Sequence, residues 1–138
     1  MTLEITQAVY DRMANDATLI ALLATYRSGP AVFTTDPAPG DATLPYIVTA
    51  GAPVDISFDT KTTLGRQLWR DLRCYAAADG SATLIETIAE QMRALLHRQA
   101  LVIPGFVWLW AECSGPIVAD EQDAYGRIVT VRFTIEEV

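Results

Sequence analysis

Two periods of hydrophobic and polar residues run along this chain, and the switches between them mark its elements. Ile5, Ala8, Val9 and Met13 fall on one helical face, which predicts a helix over residues 3–14. Asn15-Asp16 interrupts it. The Asp16 carboxylate can accept an orphan backbone N–H, so it is placed to cap a second short helix over 17–24. Leu19, Ile20, Leu22 and Leu23 leave that segment apolar nearly all round, so it is expected to be well buried. Ser28-Gly29-Pro30 stops helical structure. The clearest 3.6-residue period comes later: Leu84, Ile85, Ile88, Met92, Leu95 and Leu96 recur at i, i+3, i+4, with Glu86, Glu90 and Arg93 on other faces. It predicts an amphipathic helix of about four turns. Ser81 is one candidate cap, and Thr83-x-x-Glu86 fits the capping-box pattern as a second.

The remaining segments read as strands. Residues 31–35 form a short β-type run, followed by a loop with two prolines that cannot donate to a sheet ladder. Pro45 opens a strand over 46–50, and Gly51-Ala52-Pro53 punctuates again. Residues 54–59 alternate, with Val54, Ile56 and Phe58 opposite Asp55, Ser57 and Asp59, which predicts a strand with one wet face. A polar connection spans 60–65. In the long strand predicted over 67–77, Leu68, Leu72, Cys74 and Ala76 share a face that Arg70 interrupts, so its beginning is expected to be exposed or interfacial. An aromatic strand (106–113), a break at Gly115-Pro116, a short strand (117–122), a turn (123–126) and an alternating strand (127–136) complete the chain. Strands run consecutively rather than alternating with helices. The expected fold is therefore α+β: a mainly antiparallel β-sheet with one long amphipathic helix packed on it, and short N-terminal helices. A doubly wound sheet would need more crossover helices.

Length and composition narrow the function classes. The 138 residues, read as one domain over 1–138, are 51% hydrophobic and 20% charged, enough apolar material for a core without staples. A formal net charge of −7 argues against a tight grip on a nucleic-acid backbone. The N-terminus has no basic region ahead of an apolar run, and the apolar stretches fall short of the roughly 20 residues that span a bilayer, so a soluble cytoplasmic chain is expected, with no membrane partner.

Candidate chemistry is sparse. The single histidine, His97, lies at the end of the long predicted helix, where a solvated or dipole-compensating role is expected. Cys74 and Cys113 lack the close ligand pairing of a zinc site and read as small buried hydrophobes. Asp120, Glu121 and Asp123 cluster in a turn, where acids are normally solvated. No phosphate-binding glycine loop or H-E-x-x-H motif occurs, and the glycines read as chain reversals at element boundaries. No catalytic, cofactor or metal residue is assigned. Trp108 and Trp110 share strand parity and are expected on one face, with Val107, Leu109 and Ala111 on the other. A strand apolar on both faces needs cover on both. The long helix supplies one side; the N-terminal helices or a partner subunit supply the other.

The order of these features resembles a known family. A helical pair ends in Leu19–Leu23, and a brief strand and Pro/Gly loop precede Leu44-Pro45-Tyr46-Ile47-Val48. A long strand ending Leu72-Arg73-Cys74-Tyr75-Ala76 runs straight into the helix, and an acidic turn and terminal strand close the chain. This is similar to the tail completion or tail terminator proteins of long-tailed bacteriophages, prophages and gene transfer agents. The resemblance implies a structural, non-enzymatic protein of the virion tail or neck, assembled in the host cytoplasm. It would form a ring, commonly of six copies, that caps the head-proximal end of the tail tube, ends tube growth and docks the head-side connector. The partners so implied are other copies, the tail tube protein and the connector, with DNA passing through and not held. The contact surface is expected in the 54–69 segment and its continuation, at Phe58, Lys61, Leu64, Arg66, Trp69 and Arg70. Three rivals stand beside it: a head-tail adaptor or head-closure protein; a small ligand-binding or enzymatic α+β domain with a pocket walled by Trp69, Trp108 and Trp110; and a regulatory module that recruits a protein partner.

Overall fold

The computed structural model describes residues 2–35, 37–49, 54–121 and 123–138. The Gly51-Ala52-Pro53 break and the strand ends expected at Ala50 and Gln122 lie outside the described residues.

Helix α1 (Thr2–Ala14) carries the expected apolar face, with Ile5, Val9 and Met13 buried. Asp16 caps α2 (Ala17–Ile20), its carboxylate accepting the Leu19 N–H at 2.9 Å; this helix stops earlier than expected. Strands β1 (Thr25–Tyr26) and β2 (Gly29–Pro30) form a small hairpin. Then come β3 (Val32–Phe33), β4 (Tyr46–Val48), β5 (Val54–Ser57), β6 (Gly65–Ala77), α3 (Thr83–Leu96), β7 (Phe106–Val118) and β8 (Ala124–Glu137).

These six strands, β3 to β8, form one sheet in the order β3-β4-β6-β8-β7, with β5 also paired to β6. All pairings in it are antiparallel except β3 with β4. β4 lies against residues 73–75 of β6 and β5 against residues 66–69, so both occupy the same side of that strand. The fold is the α+β arrangement that the periodicity predicts.

The core lies on one face of this sheet. Leu68, Leu72, Cys74 and Ala76 of β6 and Val129, Val131, Phe133 and Ile135 of β8 are buried with Ile85, Ile88, Ala89, Met92, Leu95 and Leu96 of α3. Each fully buried Leu or Ile side chain contributes about 1.5–3 kcal/mol. Ile5, Val9, Met13, Leu19 and Leu23 join the same cluster, so α1 and α2 pack beside α3. The Arg12 Nε donates to Leu95 O (2.9 Å) and the Gln91 amide to Asp16 (2.9 Å), which fastens the helices together. The N-terminal helices therefore do not form a second layer. The opposite face, with Trp69, Asp71 and Arg73 of β6 and Ile128, Thr130 and Arg132 of β8, has no helix over it among the described residues.

Four local expectations are corrected. Gly115-Pro116 does not end a strand: β7 continues through it, with one extra residue between the Ser114–Thr130 and Ile117–Ile128 pairs. Proline is tolerated there because a bulge on a marginal strand needs no ladder donor. Gly115 has φ +91°, and a Cβ on it would sit 2.7 Å from Ile128 O, so glycine is required. A second register shift falls between Trp108 and Trp110, which pair with Ile135 and Thr134. It turns the two tryptophans to opposite faces. Trp108 packs edge-on against the core Phe133 at 5.4 Å, and Trp110 looks outward.

The third correction concerns the start of α3. Ala82 stands at its N-cap with no side-chain bond of its own, while the expected Ser81 hydroxyl accepts the Thr83 N–H at 3.3 Å. Glu86 reaches across to β8 instead, accepting the Arg127 Nε at 2.8 Å; Arg127 Nη1 also donates to Asp120 (3.1 Å) and Gly126 O (2.8 Å). Fourth, His97 is not solvated: its Nδ1 accepts the Cys113 N–H at 3.0 Å, pinning the end of α3 to β7.

Candidate assembly surface

β5 and the first residues of β6 form a hairpin. Its turn is built by short polar side chains, which bond to nearby backbone better than water does. The Thr60 N–H donates to Thr63 O (2.9 Å), the Thr63 N–H to Thr60 Oγ1 (3.1 Å) and the Gly65 N–H to Asp59 Oδ1 (3.1 Å). The Phe58 N–H donates to Gly65 O (2.8 Å), and the Glu137 N–H to Leu64 O (2.8 Å), so the tip is tied to β8 as well.

The expected contact residues divide here. Phe58 (43% exposed), Lys61 and Leu64 (59% exposed) come together at the hairpin tip. Trp69 lies half-buried on the open face, cross-strand from Arg132. Arg66 points to the other face, where its Nε donates to Asp55 Oδ1 at 3.0 Å. Arg70 is only 5% exposed, set between Leu68 and Leu72 on the core side. Its interruption of the apolar pattern therefore does not mark an open strand end. Burial, and then the neighbouring Arg66 charge, lower its pKa. A second departure concerns Ile56: it alternates like a buried residue yet is 49% exposed, because no layer lies above β5.

Sequence reasoning missed the companions of the hairpin. Register places Ile56, Gln67, Thr134 and Trp110 in one row across the open face. Val107 sits one row nearer the tip, opposite Glu136. Trp110 was legible as an aromatic needing cover, but its direction depends on the bulge. Beside it, the Trp110 Nε1 and Arg132 Nη2 both donate to Glu112 Oε2, at 3.2 and 2.9 Å. These contacts, the indole bond first, hold the Glu112 carboxyl below the usual carboxylate range.

This face offers contact area and little chemistry. The depression bordered by Trp69, Glu112, Ser114, Thr130 and Arg132 measures about 120 Å³, well below the ~300–1,000 Å³ of small-molecule sites. Trp108 is on the core side, so the three tryptophans do not wall one pocket. Burial pushes the Cys74 thiol up to about 12 and the Cys113 thiol up to about 11, which makes both poor nucleophiles. They are free thiols on β6 and β7, with β8 between these strands. Among the described residues, no group of three or more His, Cys, Asp or Glu side chains is placed to hold a metal ion. No helix among them is long and apolar enough to cross a membrane.

A family model described as "Tail completion protein gp17" matches residues 7–136. The chain belongs to this tail completion family. The role that goes with the family is a structural one at the tail of the particle. Among solved structures, the chain is similar to one in "Virion of native gene transfer agent (GTA) particle", with a TM-score of 0.78 and 21% identity over 96% of this chain and 94% of that chain. At that identity the likeness is one of fold. Among curated proteins, none matches the sequence significantly.

Proposed function

We propose that this tail completion family member works as a single domain that self-associates into a closed ring, six copies being the number its family resemblance suggests. The ring caps the head-proximal end of a tail tube, ends its growth and presents a docking surface to the head-side connector. It belongs to the virion tail or neck and assembles in the host cytoplasm, and its function is contact rather than catalysis. The observation that carries this is the one-sided sheet. Three helices cover its inner face, while the outer face and the β5–β6 hairpin present Ile56, Phe58, Leu64, Val107 and Trp110 to a partner. Large aromatic and aliphatic side chains gathered on one surface of a small chain are the material of a protein interface. A ring of identical copies needs two different patches per copy, one meeting the other on its neighbour. Six copies at −7 each carry a formal −42, a surface that repels a phosphate backbone and so lets DNA pass without holding it.

Two measurements test this together. Electron microscopy of the purified chain is expected to show rings, and removing the gene is expected to yield tails that grow beyond their normal length. A chain that stays monomeric at high concentration and in recovered tails, with tail length unchanged by its loss, overturns the proposal.

A further inference from the structure

Resting on the ring proposed above, we infer that the hairpin tip of one copy seats in the groove between α1 and residues 102–104 of the next. The groove has a volume of about 360 Å³, with apolar walls from Leu3, Ala8, Val102 and Pro104 and the carboxylate of Asp11 among its lining residues. Val102 is 92% exposed, an extreme for a branched apolar side chain held between two buried neighbours, Leu101 and Ile103. The tip has matching chemistry. It carries Phe58 and Leu64 around Lys61, the only lysine in the sequence. Among the described residues the Lys61 ammonium makes no ion pair within its own copy. An apolar groove with the Asp11 carboxylate at its side accepts an apolar tip with one cation.

The positions suit a head-to-tail contact. Sheet order runs β5-β6-β8-β7, so the hairpin extends the first strands of that run, while residues 102–104 lead into β7, three strands away. Three strand spacings separate β5 from β7 by roughly 14 Å. Two different patches on one copy, each meeting the other on a neighbour, are what a heterologous ring contact requires. Pairing of strands across the copies is blocked over residues 111–115 of β7. Ala111 O accepts the Arg98 N–H (3.0 Å), the Cys113 N–H is bound to His97, and Arg93 Nη1 donates to both Cys113 O (2.9 Å) and Gly115 O (3.0 Å). With those edge groups occupied, a neighbour meets this side through side chains.

The test mixes two variants, Leu64→Cys and Gln7→Cys, each adding one exposed cysteine to the buried Cys74 and Cys113, so that a link between the added thiols joins different copies only. The purified full-length chain and chain recovered in tails are both treated with a short bis-maleimide. A covalent heterodimer from the mixture, with none from Leu64→Cys alone, is the expected result. In parallel, Lys61→Glu is expected to lower the association constant about tenfold, and Asp11→Lys added to Lys61→Glu to recover most of that loss. Rings that form normally with Lys61→Glu and give no heterodimer overturn this contact and leave the ring standing. A wild-type chain that does not self-associate in either preparation overturns both.

Discussion

Replacing Phe58 with Ala separates a contact surface from a folding core. Phe58 lies outside the core cluster and is 43% exposed. A Phe side chain buries about 150–250 Å² when covered, so roughly 65–110 Å² of it remains available to a partner. At about 25 cal/mol per Å² this is worth roughly 1.6–2.7 kcal/mol per contact. Phe58→Ala is therefore expected to weaken each contact by about 15- to 100-fold, an upper range because alanine retains its Cβ. Its cost to folding is expected to stay below the ~3–5 kcal/mol of a core Phe→Ala such as Phe133→Ala. Native mass spectrometry over a concentration series reads the first quantity, and urea unfolding reads the second. Leu84→Ala, a partly exposed position on α3 away from the hairpin, is the control. Unchanged assembly of Phe58→Ala, or an equal loss with Leu84→Ala, would refute the placement of the surface.

Arg127 is buried while its partners Glu86 and Asp120 are half exposed, so each ion pair is discounted for screening. Arg127→Met keeps the buried stem, and a loss of about 1–2 kcal/mol in urea unfolding is expected; an unchanged midpoint rejects the cluster as a tie between α3 and the sheet. His97→Ala leaves the Cys113 N–H without its acceptor, and faster amide exchange at Cys113 than in wild type, with a loss of about 1–3 kcal/mol, is expected. Exchange at the wild-type rate shows that the bond contributes nothing. For the thiols, burial raises the folded values to about 12 and about 11 from an ordinary 9.0. The unfolded chain releases these protons first, so their contribution to stability is complete below pH 9 and is lost as pH rises through 11 and 12. A thiol reagent at pH 8 is expected to label neither cysteine until the chain is unfolded, and Cys74→Ala to flatten the fall in stability above pH 9. Rapid labelling of the native chain would contradict both.

Much of the fold is legible in the residues because burial imposes a period. Ile5, Val9 and Met13 mark α1, the Leu84–Leu96 pattern marks α3, and Val129, Val131, Phe133 and Ile135 mark β8, as each element hides one face. The Asp16 cap was equally local, since the carboxylate serves an N–H three residues on. The candidate surface was legible only in part. Phe58, Lys61 and Leu64 lie together because a short polar turn joins two strands. Arg66 and Arg70 turn away because strand parity separates them from Trp69.

The chain's own sequence thus determined which residues share a face within α1, α3 and β8, where α2 begins and how acidic the molecule is, mostly properties of neighbours along a few turns or strand steps. Tertiary structure alone decided what covers each face. Ile56 alternates as a core residue does, yet it is open because nothing packs above β5. The register of β8 inserts a residue at each shift in β7, so Trp108 enters the core, Trp110 leaves it and the strand runs on through Gly115-Pro116. Glu86 and His97 found partners 41 and 16 residues away rather than local caps or water. Period records direction relative to the backbone; exposure and partnership depend on distant segments, and those come close only when the sheet is assembled.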